Sequence, residues 1–251
     1  MRFSFQTAIL AAALCALAAF PGAARAQNAL TVLTEEFPPY NFTENGQLRG
    51  ISTDVLRLVL EDSGIRAGGE IQVLPWARAY SYAQAHRGAL LFSVTRTRER
   101  EALFKWVGPV APNRNALIAR KGRGIHLASA AEIFSYRIGA IRDDAGAQLL
   151  LAMGYANRDL DVSPDALSNL LKLESGRIDL FAYPEAVFRW VAARNGRNPD
   201  DYETAFVLHE GHVYFALNKD TPDEAVARLQ HSLDKLKAEG RVQAVIDSYL
   251  R

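Results

Sequence analysis

The residues best suited to chemistry sit in five short runs, each placed just after an apolar segment. The densest is residues 93–100, S-V-T-R-T-R-E-R. It follows a continuous apolar stretch, and the carboxyl end of a buried parallel strand is where α/β proteins place ligands. Ser93 and Thr95 offer hydroxyls there. A guanidinium grips a carboxylate through two parallel hydrogen bonds, so one arginine of this run is a natural anion anchor. Arg96, Arg98 and Arg100 alternate, which lets one enter a cleft while the others meet solvent. Taken alone, the run reads first as a solvated arginine face. Phe37-Pro38-Pro39-Tyr40 follows the first apolar segment, and its two rings could wall a ligand or staple the loop to the core. Pro75-Trp76-Ala77-Arg78 offers an indole that can stack on a flat or apolar group, with Arg78 beside it. In the second half of the chain, Arg142-Asp143-Asp144-Ala145-Gly146 joins a strand to a helix; its amides face where an anion could bind, and its carboxylates could meet a cation. Tyr183-Pro184-Glu185 ends another strand and opens a helix, where Glu185 complements the helix dipole.

Other signals carry less. His209-Glu210-Gly211-His212 spaces its histidines by three rather than the four of the zinc helix, so no metal site is expected. No ordered Ser-His-Asp set is present. The single cysteine, Cys15, lies in the leader described next, which excludes disulfides and cysteine-ligated metal from the rest. No cofactor is expected.

The elements that must position these runs alternate. Residues 1–26 read as a signal peptide: Arg2, then a short apolar run, then Ala24-Arg25-Ala26 as the cleavage pattern. The run is too short to span a membrane. The chain carries 29 Lys+Arg against 28 Asp+Glu, a balance with no electrostatic signature of nucleic-acid binding. From Gln27 onward, strands are expected at 30–34, 71–74, 89–94, 136–141 and 179–183. Helices are expected at 53–63, 76–86, 145–153, 163–174 and 185–194, followed by two at the C-terminus. Ser163 is read as the cap of the fourth helix, and Thr221-Pro222-Asp223-Glu224 as a capped start with a first-turn proline. Such alternation implies α/β layers with mostly parallel strands. Residues 113–121 and 213–219 are extended with no helix signal nearby, and would serve as two strands crossing between lobes. Lobe 1 is then 27–112 and 214–251, and lobe 2 is 113–213. This reading expects Leu91 and Ile138 in separate sheets. One large domain is the alternative.

Together, EEFPPYNF, the Gly50 to Asp54 spacing, SVTRTRERE, FKWVGP, YRIGAIRDD, GRIDLFAY and FALNKDTP resemble the family 3 extracellular solute-binding proteins, the polar-amino-acid type that serves ABC importers. The resemblance spans essentially the whole chain after the leader. It implies a type II periplasmic-binding architecture: two lobes, a hinge of two strands, and a ligand cleft between the lobes. It implies a periplasmic monomer that captures a small, carboxylate-bearing, amino-acid-like solute for a membrane permease, and no enzyme. By the same resemblance Arg98 falls where the family holds its ligand carboxylate. Phe37 and Trp76 fall where rings flank the ligand, and Ser93 and Thr95 on the assisting motif, while Arg100 is placed on the outer surface. Tyr40, Arg78, Asp144 and Tyr183 complete the expected site. The chain departs from amino-acid binders where an aspartate normally follows the G-R-x-D run. Pro184 stands there, with Glu185 next. That leaves a small carboxylate, a modified amino acid or a short peptide open as ligands. Two further classes stay open: a dehydratase-type enzyme using Glu36 and Glu185, and a sensor for a membrane partner.

Overall fold

The computed structural model describes residues 29–250; the leader expected over residues 1–26 lies outside them. The first parallel group is built from β1 (Ala29–Thr34), β4 (Arg66–Ala67), β5 (Gln72–Val73) and β6 (Ala89–Thr95), with α1 (Ile51–Ser63) and α2 (Trp76–Ala85) as its connections. A small ribbon of β2 (Phe42–Glu44) and β3 (Gln47–Arg49) precedes α1. β6 is buried at all seven positions, as its unbroken apolar run requires. Leu90, Leu91 and Phe92 are at most 1 % exposed, and each contributes about 1.5–3 kcal/mol by leaving water. The second parallel group is β8 (Ile138–Ile141), β9 (Leu160–Ser163) and β10 (Leu180–Pro184), with α3 (Ala145–Ala152), α4 (Ala166–Glu174) and α5 (Glu185–Arg194) around it.

Two strands of 17 residues join the groups: β7 (Phe104–Arg120) and β11 (Tyr202–Asn218). They pair antiparallel over their full length. β11 also pairs with β6 at one end, and β7 with β10 at the other. The hydrogen bonding is therefore continuous from Leu91 in β6 to Ile138 in β8, in the order β4-β1-β6-β11-β7-β10-β8-β9. This corrects the expectation of two separate sheets. The two crossings are far longer than residues 113–121 and 213–219. Pro109 and Pro112 hid the first half of β7, because proline normally demotes a central strand. Here β11 shifts register between Val213 and Phe215, opposite this stretch, and absorbs the irregularity.

The chain returns to the first group at its end. Helices α6 (Asp223–Ala238) and α7 (Arg241–Leu250) pack on α1. The Tyr249 hydroxyl donates to Asp54 Oδ2 at 2.6 Å and accepts from Gly50 N at 3.1 Å. Gly50 itself opens α1 at φ 122°, where a β-carbon would stand 2.4 Å from Tyr40 O. The glycine of the Gly50–Asp54 spacing is thus a packing requirement. Two expected caps move. Asp165, not Ser163, caps α4, accepting from Ser168 N at 2.8 Å, while Ser163 ends β9. Thr221 makes no capping bond, and α6 starts after Pro222. Among the described residues no helix is long and apolar enough to cross a membrane.

Candidate functional site

The carboxyl ends of the parallel strands in both groups meet at one cleft. From the first group come Glu35 and Phe37 after β1, Trp76 after β5, and Thr95 to Arg100 at the end of β6. From the second come Asp143 and Asp144 after β8, Asp165 after β9, and Tyr183 at the end of β10. Between them lies a cavity of about 540 Å³, whose wall includes Glu35, Trp76, Ile141, Asp165, Tyr183 and Trp190. Both groups therefore contribute to one enclosure, as the crevice rule for parallel strands expects.

Several expected residues are in it or around it. Trp76 is buried at the head of α2, and its Nε1 crosses the cleft to donate to Asp143 O at 2.8 Å. Phe37 is buried, stacked on Tyr40 with centroids 5.4 Å apart, and meets Tyr183 edge-on at 6.3 Å. Tyr183 lies against Phe181 at 4.8 Å, and burial holds its phenol well above the usual value. Asp144 caps α3 through Ala145 N at 2.6 Å, while its Oδ2 is buried with no hydrogen-bond partner. Burial pushes its carboxyl up, against the pull of Arg100.

Other residues play a supporting part. Ser93 sits at φ 63°, an uncommon conformation for a residue with a side chain, and its hydroxyl bonds Asn41 Oδ1. Thr95 Oγ1 accepts from Asn113 Nδ2 at 2.9 Å. Tyr40 donates to Pro112 O at 2.5 Å, so it staples its loop to β7. Arg78 is on the exposed face of α2.

The arginines separate, but not in the expected order. Arg96 forms a two-point pair with Glu101 beside Trp106 and Tyr214. Arg98 is exposed. Arg100 is 1 % exposed and enters the cleft. Its Nε, Nη1 and Nη2 donate to Gln148 Oε1, Thr95 O and Asp143 O at 2.8, 3.2 and 3.0 Å. Its guanidinium lies over Trp76 and Tyr80 at 4.9 and 5.1 Å. The physical reason is a turn. Arg100 N bonds Thr97 O at 3.2 Å, so the chain stops alternating after β6 and brings Arg100 inward. The placement of Arg98 in the cleft and Arg100 outside is thereby corrected.

Two polar residues went unread, one in the cavity wall and one buried in the long ladder. Glu35 lies in the cavity wall, and burial, then the Asp144 charge, push its carboxyl well above the usual range. Its place directly after β1 was the available signal. Asn115 is fully buried on β7 with neither side-chain polar atom partnered. It sat in a stretch expected to be only a crossing. Glu185 does not replace the missing aspartate. It pairs with Arg114 Nη1 at 3.2 Å and accepts from Thr204 Oγ1 at 3.1 Å. Glu36 braces Thr43 N at 2.9 Å. Among the described residues no group of three or more His, Cys, Asp or Glu is placed to hold a metal ion.

A cleft formed by the strand ends of two α/β groups, spanned by two shared strands, defines the class of two-lobed solute-binding proteins of the type II periplasmic-binding architecture. The chain belongs to the bacterial extracellular solute-binding proteins, family 3, whose family model matches residues 30–251. A search of curated protein sequences finds no match to it. Solved structures agree on the fold. A histidine kinase sensor domain with similarity to periplasmic binding proteins superposes with TM-score 0.78 at 19 % identity, covering 90 % of this chain and 98 % of its own. A substrate-binding protein of an ABC uptake transporter from Streptococcus pneumoniae, solved with bound histidine, gives 0.75 at 18 %, over 90 % and 93 %. The arginine-, lysine-, histidine-binding protein ArtJ from Geobacillus stearothermophilus gives 0.71 at 16 %, over 88 % and 95 %.

Proposed function

We propose that this chain captures a small polar, amino-acid-like solute in the cleft and delivers it to the permease of an ABC importer, acting as a periplasmic monomer. The observation that carries the reading is the 540 Å³ cavity walled by both groups of strands, a size suited to one small molecule. Family membership and the bound amino acid of the Streptococcus relative support it. Lobe 1 is taken as residues 27–112 and 214–251 and lobe 2 as 113–213, with both boundaries falling inside β7 and β11. A carboxylate on the solute would meet Arg100, the arginine that the fold buries in the cleft. Binding is favoured over catalysis by the family, and Glu36 and Glu185, the acid and base that the sequence offered, are both engaged in holding backbone and side chains. Cleavage after Ala26 is expected, and N-terminal sequencing of protein from a periplasmic extract reads it directly.

A thermal-shift panel of amino acids, short peptides, small carboxylates and amines tests the function. A solute that binds only the folded state at a hundredfold its Kd adds about 2.7 kcal/mol of apparent stability. At least one panel member should raise Tm in a saturable way; a folded chain that responds to none contradicts the reading. The sensor-domain neighbour supports a second reading, ligand reporting to a membrane kinase. Uptake of the labelled solute in a strain deleted for the chain separates the two, because uptake is lost for a transporter component and kept for a sensor.

A further inference from the structure

The centre of the cleft brings two carboxyl groups, Glu35 and Asp144, to one guanidinium, that of Arg100, which is already hydrogen-bonded. A guanidinium has five N–H donors. Those of Arg100 reach Gln148, Asp143 and Thr95, and the first two belong to the opposite group of strands from Arg100 itself. Together with the Trp76 bond to Asp143 O, they tie the two halves of the cleft. A ligand carboxylate seated on Arg100 would share its guanidinium with these acceptors and lie beside Asp144 and Glu35.

Both carboxyls feel the charge of Arg100, and one guanidinium can balance only one of them when both are ionised. Asp144 is 6 % exposed and its Oδ2 has no partner. Glu35 lies in the cavity wall, and among the described residues its carboxylate has no hydrogen bond. For the buried Asp144 Oδ2 an acceptor left without a donor is costly, so a donor is its missing complement, and the partly buried Glu35 offers a second acceptor beside the cavity. The surrounding wall gives aromatic faces from Trp76, Tyr183 and Trp190, which attract cations.

We infer, building on the solute-binding reading above, that the solute is recognised through a cationic group, an ammonium or guanidinium received by Glu35 and Asp144 beside Trp76 and Tyr183, and that a free carboxylate is not required. Arg100 is then a tie between the halves rather than the anchor of the ligand.

Matched pairs test this by calorimetry at neutral pH: agmatine against arginine, putrescine against ornithine, choline against betaine. The first of each pair is the cation alone, and the second adds a carboxylate. At least one pair should bind, with the carboxylate-free member at least as tight as its partner. Glu35→Gln and Asp144→Asn should each weaken that cation at least tenfold. Both remove a charge without changing shape, so Tm of the unliganded variants should hold or rise and show that the fold is kept. A carboxylate-bearing member binding tenfold tighter than its partner overturns the inference and leaves solute binding standing. So does binding by some solute of the wider panel but by none of the six. Unchanged affinity in both variants overturns it too. Silence from the six and from the whole panel removes both readings.

Discussion

At the scale of single residues, the separation of Arg98 from Arg100 decides what substitution should do. Arg98 is in solvent, and exposed charges away from special features contribute little. Arg98→Ala is therefore expected to leave both Tm and solute affinity unchanged. Arg100→Ala removes three hydrogen bonds and leaves Asp144 and Glu35 facing each other without a cation. Breaking a buried charge arrangement by deleting one partner costs about 3–5 kcal/mol. Arg100→Lys should restore little, because one ammonium cannot reach acceptors in three directions. Denaturant titration of the three variants reads this order, and equal losses for Arg98→Ala and Arg100→Ala would contradict it. The sequence carried the ingredients but not the order. Three arginines spaced by two are equivalent on an extended strand, and only the turn at Thr97 to Arg100 distinguishes them. The resemblance settled on Arg98 because it counted along the motif, and a count cannot see a turn.

At the scale of elements, most of the helices and the buried strand β6 were legible because their signals are local. Period, caps and continuous apolar runs are properties of a few adjacent residues. The long ladder of β7 and β11 was not, because its pairing is non-local and its prolines argue against a strand. Asn115 and Asn113 belong to that ladder, so the polar lining they give the junction was hidden with it. The placement of α3 shows how an element carries a site. Gly146 lies so close to β10 that a β-carbon there would stand 2.4 Å from Ala182 O, an immovable backbone atom. Gly146→Ala must lift α3 from the sheet, at a cost of about 1–3 kcal/mol. The same helix bears Asp144 at its cap and Gln148 one turn on, so solute affinity should fall along with stability. A variant that loses stability while keeping full affinity would show that α3 does not set the geometry of the cleft. Gly176, at φ 70° with only the flexible Arg123 guanidinium 3.4 Å from a β-carbon, offers a comparison in which backbone strain, not a clash with the sheet, is introduced.

At the scale of the whole molecule, closure of the cleft and protonation are linked. Glu35 faces Asp144, Arg100 and Glu36; Asp144 faces Arg100; and Tyr183 faces Glu35, Asp144 and Asp165. In this structure, held closed by the bonds of Trp76 and Arg100 across the cleft, burial raises both Glu35 and Asp144, and an opening that turned them to water would return them to ordinary values. A raised acid binds more protons in the closed form than in the open or unfolded one, so ν of the closed form is the larger. The closed form without solute is thus favoured below the ordinary carboxylate range. That advantage is lost as pH rises through the raised values. A cation placed between the two groups reverses the balance, because a nearby positive charge favours ionised carboxylates. Binding of a cationic solute in that window must therefore release protons. Calorimetry of one solute in two buffers of different ionisation enthalpy measures the release, which should be positive for the natural chain and smaller for Glu35→Gln. Net proton uptake, or a release unaffected by that substitution, would mean that the charge of Glu35 takes no part in closing the cleft on its solute.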